Sequence, residues 1–241
     1  MKGKKMKKNE GKLIVITGPD GCGKKTQSQL LVGKLKISGY NVETIDFPQY
    51  KKNFFGKMVG RYLAGEFGDP TKIDPHLASM LYAGDRGESM RQINKWLEDG
   101  KIVVCDRYIG DNFLHQGSKI IDTVKREEFF QWLYDLEFIV FNAQPADLTF
   151  YLDVPLEISL RLLENKDAQE KKDYTGGKKD GHENEKHLRE VRGISKELIE
   201  RFGWIKIDCA EKGDILPKNE ISDILFKHVI DKEGFLELLF Q

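Results

Sequence analysis

The chain has 241 residues, 39% of them hydrophobic, so it can bury a sizeable core in one large or two small domains. Lysine plus arginine (39) equals aspartate plus glutamate (39), and a net charge of zero gives no global field that would attract nucleic acid or an acidic membrane. We therefore expect neither as a partner, and any anion site must be local.

The cysteines and the hydropathy indicate the cellular compartment. Cys22, Cys105 and Cys209 are far apart, odd in number and without C-x-x-C spacing, so they predict neither a disulfide framework nor a zinc site. This usage fits a reducing cytosol, and we predict a cytoplasmic location. No apolar h-region or small-residue cleavage site of a signal peptide follows the basic start of the chain, and no run approaches about 18 apolar residues, so a soluble protein is expected.

The two ends of the chain differ in composition from its centre. Residues 1–12 are rich in lysine and are predicted to form a disordered, solubilising tail, with contact to nucleic acid or lipid as the alternative. Residues 236–241 (LELLFQ) read either as the last turn of a native helix or as an appended tail that resembles a viral 3C-protease recognition site. Residues 13–235 are predicted to form a single domain.

Between these ends, strand and helix patterns alternate in chain order. Residues 13–17 form a β-branched run that ends in glycines, and the apolar spacing becomes helical over residues 25–38. Further strands are predicted at residues 42–47, 102–105, 148–154 and 204–208, and amphipathic stretches at residues 77–97, 127–138, 156–163 and 188–202. Apolar strands that alternate with helices predict an α/β fold with a parallel sheet covered on both faces and ligands at the carboxyl ends of the strands.

One segment breaks this alternation. Residues 165–186 consist mainly of Lys, Asp, Glu and Gly and show no apolar period. Such a stretch reads either as a solvated loop or as a mobile lid over a phosphate site, and both readings stay open at this point.

A glycine-rich turn joins the first predicted strand to the first predicted helix. Its G-x-x-x-x-G-K motif places backbone N–H groups and a helix N-terminus around an anion, with Lys24 bridging the β- and γ-phosphates of a nucleotide. A glycine-rich turn with an exposed lysine is the alternative, which the position after an apolar strand disfavours. The predicted nucleotide-binding residues are Gly18, Pro19, Asp20, Gly21, Cys22, Gly23, Lys24, Lys25 and Thr26.

The residue after the motif lysine departs from the usual P-loop pattern. A serine or threonine ordinarily stands there and binds Mg²⁺, but this chain has Lys25, and the first hydroxyl belongs to Thr26. Magnesium is therefore expected to be held differently, or less well, than in other P-loops.

Four segments, in this order, resemble the thymidylate kinase family. They are the P-loop running into Thr26-Gln27, the Phe47-Pro48 turn, LYAGDR at residues 81–86, and Asp106-Arg107-Tyr108 followed by HQG at residues 115–117. Their joint order covers most of residues 13–154 and is far more specific than the P-loop alone. After residue 154 the resemblance rests on the YLDVP strand (151–155) and the charged lid.

The resemblance implies a P-loop NTPase-type, three-layer α/β/α fold with a five-stranded parallel sheet and a mobile lid, and usually a homodimer. It also implies an enzyme that transfers the γ-phosphoryl group of ATP, with Mg²⁺, to dTMP, giving dTDP and ADP for dTTP biosynthesis. A kinase of another deoxynucleotide or of a deoxynucleoside, or a nucleotide-binding protein without catalysis, is the alternative.

The resemblance further assigns roles to particular residues. The predicted catalytic residues are Lys24, Asp20, Asp106 and Arg107. Asp106 is also the predicted Mg²⁺ ligand, with capping of the next helix as its alternative role. The predicted dTMP contacts are Asp20, Phe47, Pro48, Tyr82, Arg86, Arg107, Asn112 and Gln116.

The residue types suit these roles physically. Arg86 and Arg107 each offer a planar fork of donors for the acceptor phosphate, although an arginine alone more often forms a surface ion pair. Tyr82 suits stacking on thymine, although an aromatic residue on a helix is ordinarily core. Asn112 and Gln116 each present a donor and an acceptor that match a pyrimidine edge.

Three positions depart from the family pattern. Lys51-Lys52 stand near a place where the family commonly has an arginine for the acceptor phosphate, and Asp111 stands where a serine is usual. We expect a carboxylate there to affect base or sugar preference. Gly21 replaces a residue that is basic in some members, so the lid is expected to supply that charge. Its candidates are Lys166, Lys171, Lys172, Lys178 and Lys179, with Arg161 on the preceding helix.

Overall fold

The computed structural model describes residues 11–164 and 185–232. The predicted lid falls outside these ranges except for residues 185 and 186, which begin a helix. Residues 1–10 of the predicted tail and the C-terminal hexapeptide also fall outside them. The last two residues of that predicted tail belong to the fold, because the Gly11 amide donates to the Leu97 carbonyl (2.8 Å) and the first strand starts at Lys12.

Five parallel strands form the central sheet. They are β1 (Lys12–Thr17), β2 (Val42–Asp46), β3 (Ile102–Asp106), β4 (Leu148–Asp153) and β5 (Ile205–Asp208), in the order β2-β3-β1-β4-β5. The predicted five-stranded parallel sheet is confirmed. A small separate ribbon pairs β6 (Ala210–Glu211) with β7 (Asp214–Ile215) in antiparallel fashion and was not predicted.

Helices cover both faces of the sheet. They are α1 (Lys24–Ile37), α2 (Phe54–Leu63), α3 (Pro75–Glu98), α4 (Ile109–Gly117), α5 (Thr123–Tyr134), α6 (Leu156–Glu164), α7 (Glu185–Phe202) and α8 (Lys218–Asp231). A π-helical turn, Asp135–Val140, continues α5, so the single helix predicted at residues 127–138 consists of two types of helix. Within the described ranges, no helix combines the length and the apolar character needed to cross a membrane.

Alternation along β1 divides the core between the two faces. Ile14 and Ile16 pack into a cluster with residues of α1 and α8, whereas Leu13 and Val15 face residues of α3, α4, α5 and α7. All four side chains are buried, and burial of each contributes roughly 1.5–3 kcal/mol. The core therefore fixes β1, and with it the loop that follows, in the middle of the molecule.

Strands β1, β2 and β3 end side by side. Asp106, the last residue of β3, pairs in register with Ile16 on one side and with Asp46 on the other. The backbone continues the pairing past the strand ends, because the Arg107 amide donates to the Ile16 carbonyl and the Phe47 amide to the Asp106 carbonyl, both at 3.0 Å. The three loops that carry the predicted site therefore leave the sheet at one edge.

Candidate active site

A cleft of about 630 Å³ opens at this edge of the sheet. Its walls are the P-loop, the segment that follows β2, the middle of α3, the first turns of α4, and the end of α6. Pockets of roughly 300–1,000 Å³ are typical of small-molecule sites. The cleft therefore has the size expected of a site for small ligands.

The structure brings the predicted residues together in this cleft. All of the predicted acceptor contacts line it: Asp20, Phe47, Pro48, Tyr82, Arg86, Arg107, Asn112 and Gln116. The P-loop contributes Asp20, Gly21, Gly23, Lys24, Lys25 and Thr26, whereas Gly18, Pro19 and Cys22 do not line the cleft. Asp106 also lines it. What each residue binds stays a prediction.

Lys24 is held inside the P-loop. Its ammonium donates to the carbonyl oxygens of Gly18 and Pro19, both at 2.8 Å, and lies 3.8 Å from Oδ1 of Asp20. The side chain is 5% exposed, while the neighbouring Lys25 is exposed at the start of α1. The first turn of α1 leaves backbone N–H groups without helical partners. The positive charge of Lys24 and these N–H donors therefore lie at the same end of the helix.

Gly21 has a steric reason to be glycine. Its φ is +80°, and a Cβ at this position would lie 2.5 Å from the carbonyl oxygen of Ser159 in α6. Both the backbone conformation and the close approach of α6 exclude a side chain. A basic residue within the P-loop, as in some members of the family that the sequence resembles, cannot be accommodated here without moving α6.

Arg107 links the P-loop to α4. Its guanidinium donates to Oδ1 of Asp20 (2.5 Å) and to Oδ1 of Asp111 (3.2 Å). The other oxygen of Asp111 accepts from the Thr17 hydroxyl (2.8 Å) and from the Tyr108 amide (3.2 Å). Asp111 therefore orients Arg107 and joins β1 to α4. Its carboxylate is occupied by these partners rather than directed at a base.

Backbone strain accompanies this arrangement. Arg107 has φ +66°, in the left-handed region that is unfavourable for a residue with a side chain and is concentrated at functional sites. Burial raises the pKa of the Asp20 carboxyl, but neighbouring positive charge, above all that of Arg107, outweighs burial and holds that pKa well below its usual range. Asp20 is thus an ionised acceptor at any physiological pH.

Asp106 is the carboxylate in the cleft that is least compensated. Burial raises its pKa to about 6, opposed by the charges of Arg107 and Lys24 and assisted by Asp111 and Asp46. Its Oδ1 is buried, and the described part of the chain offers it no hydrogen-bond partner. A buried carboxylate oxygen of this kind is well suited to a cation or to a water molecule that a cation binds.

Arg86 forms a buried ion pair that the sequence did not reveal. Its Nε donates to Oε2 of Glu137 at 3.0 Å, and its Nη2 donates to Oε1 of the same carboxylate. Arg86 is 2% exposed and Glu137 is fully buried. Because the charge of Arg86 is matched by Glu137, Arg86 is better suited to a polar base than to a phosphate, for which Arg107 is better placed.

Two amides line the part of the cleft that is predicted to bind the acceptor. Asn112 donates from Nδ2 to Oε1 of Glu137 (3.1 Å) and to the Ser79 carbonyl (3.2 Å). Its Oδ1, and both polar atoms of the Gln116 side chain, are buried and have no hydrogen-bond partner within residues 11–164 and 185–232. Buried amides are normally satisfied, so these atoms are well suited to contact a polar ligand.

Aromatic side chains form the apolar wall of the cleft. Phe47, which precedes Pro48 through a cis peptide bond, lies 6.0 Å from Tyr108 between ring centroids. Tyr82 reaches the cleft from α3 and meets Tyr62 edge to face at 6.2 Å. Aromatic groups that reach the cleft from the end of β2 and from α3 suit contact with a flat heterocycle.

Asp85, beside Arg86 in α3, holds the turn after β2. Its Oδ2 accepts from the Gln49 amide (2.9 Å) and its Oδ1 from the Asn53 side chain (2.8 Å). Asp85 is 1% exposed, and its buried hydrogen bonds tie the turn that contains Pro48 to the helix that carries Tyr82. This contact fixes the turn after β2 relative to α3, and both line the cleft.

Two buried histidines connect the cleft to the helix that follows the predicted lid. Nδ1 of His115, in α4, lies 3.0 Å from Nε2 of His187, in the first turn of α7. Burial lowers the pKa of His115 well below its usual value, opposed by the nearby charge of Asp20, and burial lowers the pKa of His187 to about 4. Both rings are neutral at pH 7, so one donates to the other.

We expect the histidine pair to make stability depend on pH. In the unfolded chain both rings bind protons below a pH of about 6.5, whereas His187 in the folded chain stays neutral down to about pH 4. The free energy of unfolding therefore falls as the pH decreases from about 6.5 to about 4. Each histidine contributes a slope of up to about 1.4 kcal/mol per pH unit. Urea unfolding at three pH values from neutral to mildly acidic should show a shallower decline for His187→Gln than for the wild type. Equal slopes would contradict this assignment.

The sheet order, the loop between β1 and α1, and the cleft define a P-loop kinase fold. A family model described as thymidylate kinase matches residues 16–219. The chain belongs to the thymidylate kinase family and is an enzyme of that kinase family.

Individual relatives agree with the family model. The chain is 33% identical over 199 residues to a probable thymidylate kinase of Thermococcus onnurineus, covering 80% of this chain and 87% of the relative. It is 30% identical over 210 residues to a probable thymidylate kinase of Methanocaldococcus jannaschii, covering 86% and 92%. The solved structure of thymidylate kinase from Candida albicans superposes with a TM-score of 0.72 at 20% identity, covering 94% of each chain, which supports the fold.

Glu137 and His187 are the residues that sequence reasoning missed. Glu137 stands in an otherwise apolar stretch, residues 136–141, where a single acidic residue signals a buried partner. That signal was available, but it could not have named Arg86, which lies 51 residues away in sequence. His187 showed no comparable signal, because it follows the charged segment and resembles a surface residue.

Proposed function

We propose that the protein transfers the γ-phosphoryl group of ATP to dTMP, giving dTDP and ADP in the synthesis of dTTP. The observation that carries this proposal is the joining of a P-loop and a buried polar acceptor wall in one cleft. The P-loop side has Lys24 and the start of α1. The acceptor side has aromatic rings, two unsatisfied amides and an arginine matched by a buried glutamate.

The donor phosphates are proposed to bind at the P-loop. Lys24 is poised at the N-terminus of α1, where phosphate oxygens would replace the carbonyl oxygens of Gly18 and Pro19 as acceptors for its ammonium. Backbone N–H groups of the first turn of α1 supply further donors. The expected effect is to hold the β- and γ-phosphates in one position and to offset the charge that moves toward the β-phosphate during transfer.

The acceptor phosphate is proposed to bind at Arg107. Its guanidinium lies between the P-loop and α4, and Asp20 and Asp111 fix its orientation. Phosphoryl transfer leaves little covalent work to the protein, so alignment of the acceptor oxygen with the γ-phosphate is the main contribution. No general base is required, because an ionised phosphate oxygen is already a nucleophile.

The residues of the cleft fit a magnesium ion that keeps most of its own water. Among the described residues, no group of three or more His, Cys, Asp or Glu side chains surrounds a metal position, so a cage built of protein ligands alone is not present there. Mg²⁺ usually binds through one or two carboxylates together with substrate phosphates. Asp106 has the unsatisfied oxygen, and Thr26 presents a hydroxyl at the P-loop. When bound, the ion would screen the phosphate charges during transfer.

Replacement of Asp106 by asparagine is expected to separate activity from stability. Turnover with Mg²⁺ should fall at least about 100-fold, because the carboxylate that holds the ion or its water is lost. The free energy of unfolding, measured without nucleotide at mildly alkaline pH, should rise by about 1–2 kcal/mol, because a carboxyl whose pKa is raised to about 6 destabilises the fold when ionised. A variant that is both active and less stable than the wild type would contradict the role of Asp106.

A coupled assay of ADP release tests the proposed function. It compares dTMP, dUMP, dGMP, dCMP and thymidine as acceptors, each with and without Mg²⁺. We expect turnover to be highest with dTMP and Mg²⁺. Preference for another deoxynucleotide or for thymidine would support the alternative kinases, and ATP binding without turnover on any acceptor would support a non-catalytic nucleotide-binding protein.

We further propose a homodimer in the cytoplasm. Leu77 and Met80 on α3, and Ile139 and Val140 on the π-helical turn, are exposed apolar side chains, which supports contact between copies through α3 and its neighbours. Light scattering that gives twice the mass of 27.8 kDa would agree with the dimer, and the monomer mass would contradict it. The three cysteines are buried and free, which supports a reducing compartment.

A further inference from the structure

Glu137 is a buried charge with two separate partners. It is fully buried in the π-helical turn, and its carboxylate accepts from Nε and Nη2 of Arg86 and from Nδ2 of Asn112. Arg86 and Asn112 both line the cleft, and Glu137 does not. A buried carboxylate is costly unless charge and hydrogen bonds compensate it, and Glu137 has both. π-Helical turns are rare and are frequent at functional sites.

Glu137 fixes which atom Asn112 presents to the cleft. The two groups next to Nδ2 are the Glu137 carboxylate and the Ser79 carbonyl, and both can only accept hydrogen bonds. If the amide were flipped, its oxygen would face two other oxygens. The amide nitrogen must therefore point toward Glu137, and Oδ1, which is buried without a partner within the described ranges, stays available as an acceptor.

Glu137 also fixes which donor Arg86 presents. Nε and Nη2 are used by the carboxylate, while Nη1 lies 3.5 Å from the Tyr108 carbonyl, at the limit of a hydrogen bond. Nη1 is thus the guanidinium nitrogen that is least used within the described part of the protein. The charge of Arg86 is meanwhile balanced, so the donor is offered without a strong attraction for phosphate.

We propose that Glu137 is the positioning residue that sets the base specificity of the acceptor site, an inference that rests on the proposed function. Through Glu137, the cleft presents an amide acceptor, Oδ1 of Asn112, together with a guanidinium donor, Nη1 of Arg86. Thymine and uracil offer an N3–H donor beside the O4 acceptor, which matches this pair. Cytosine offers an N3 acceptor beside an amino donor, which is the opposite pattern. Glu137 therefore selects 2,4-dioxopyrimidines over cytosine although it does not touch the base.

Replacement of Glu137 by glutamine tests this inference with little change of shape. Glutamine has one acceptor and one donor where the carboxylate has two acceptors, so only the Ser79 carbonyl still holds the Asn112 nitrogen on this side, and an orientation with that nitrogen toward the cleft becomes accessible. We expect kcat/KM for dTMP to fall at least about tenfold, and the ratio of kcat/KM for dCMP to that for dTMP to rise at least about tenfold. Tenfold changes of this kind are expected when a buried hydrogen bond to the base is lost, or when an acceptor that faces the base is replaced by a donor.

The matched control is Glu197→Gln, which breaks an Arg–Glu pair of similar chemistry. Glu197 pairs with Arg126 at 3.1 Å, and neither residue lines the cleft, so its dCMP to dTMP ratio should equal that of the wild type. A purely structural role of Glu137 would lower kcat/KM for all acceptors by the same factor and leave the ratio unchanged. That result would overturn the proposal.

A second variant tests the inference independently if Glu137→Gln does not fold. Asn112→Leu keeps the ion pair between Arg86 and Glu137 but removes the acceptor atom, so kcat/KM for dTMP should fall at least about tenfold while that for dCMP changes less. An unchanged ratio in this variant also overturns the proposal. Failure of the proposed function is recognised separately, because it would appear as absence of dTMP turnover in the wild type. In that case the ratio of the dissociation constants of dCMP and dTMP, measured by calorimetry, replaces the kinetic ratio.

Discussion

Replacing Lys24 with alanine is expected to lower kcat by roughly 10³-fold or more. The ammonium is the positive charge that the P-loop itself positions, through two carbonyl hydrogen bonds of 2.8 Å. Charge stabilisation of this kind typically contributes several kcal/mol to a phosphoryl transfer, and about 4 kcal/mol corresponds to a factor of about 10³. Steady-state kinetics at saturating ATP and dTMP measure the effect.

The neighbouring lysine supplies the control. Lys25 is exposed at the start of α1, where other P-loops have a metal-binding hydroxyl, so Lys25→Ser should preserve kcat or raise it. Loss of activity in Lys25→Ser would show that the second lysine is essential and that the departure from the usual motif is functional. Comparable activity of Lys24→Ala and the wild type would remove Lys24 from the mechanism.

Replacing Arg107 with lysine is expected to lower kcat/KM for dTMP about 100-fold. The substitution keeps a positive charge but removes the planar fork that joins Asp20 to Asp111 and that would grip the acceptor phosphate. The KM for ATP should change less than about threefold, because the donor phosphates are proposed to bind at Lys24 and α1. The measurement is a full two-substrate kinetic analysis.

Arg192→Lys is the matched control for Arg107→Lys. Arg192 pairs with Asp153 at 3.2 Å and does not line the cleft, so the same chemical change there should leave the dTMP response unaltered. An equal loss for ATP and dTMP in Arg107→Lys would point to general damage of the P-loop. An unchanged dTMP response would remove Arg107 from the acceptor site.

The sheet could be predicted from sequence because its strands are short and continuously apolar. Parallel strands covered on both faces leave that signature, and β1 shows it from Leu13 to Ile16. Helix α2 was not predicted, since Gly56 and Gly60 weaken its helical pattern. The role of Gly56 is tertiary, because a Cβ there would lie 2.3 Å from the Gln49 carbonyl. The ribbon of β6 and β7 is too short to leave a period.

The candidate site was predictable where chemistry depends on local spacing. The P-loop and Phe47-Pro48 follow strands directly, Asp106-Arg107 lies at the end of β3, and adjacent parallel strands bring their ends together. Partners that come from distant segments were not predictable. Glu137 and Arg86 meet only because the π-helical turn packs on α3, and no periodic pattern in the sequence marks such a turn.

Asp111 illustrates the same limit in another way. Its position in the motif suggested a carboxylate near the base, but the structure ties it to Thr17, to the Tyr108 amide and to Arg107. A residue three positions into a helix is near the N-terminal N–H groups, which favour a carboxylate. The aspartate at this position therefore acts on the arginine, and through it on the proposed site of the acceptor phosphate.

Transfer of label from ATP to dTMP is a direct test of the proposed phosphoryl transfer. The full chain is incubated with ATP that carries ³²P in its γ-phosphate, with Mg²⁺ and dTMP, and the nucleotides are separated by chromatography. The label is expected to appear in dTDP with ADP formed in equal amount, and Lys24→Ala is expected to form both roughly 10³-fold more slowly or slower still. Label released only as inorganic phosphate, or label retained in ATP while dTMP is bound, would contradict the proposed phosphoryl transfer.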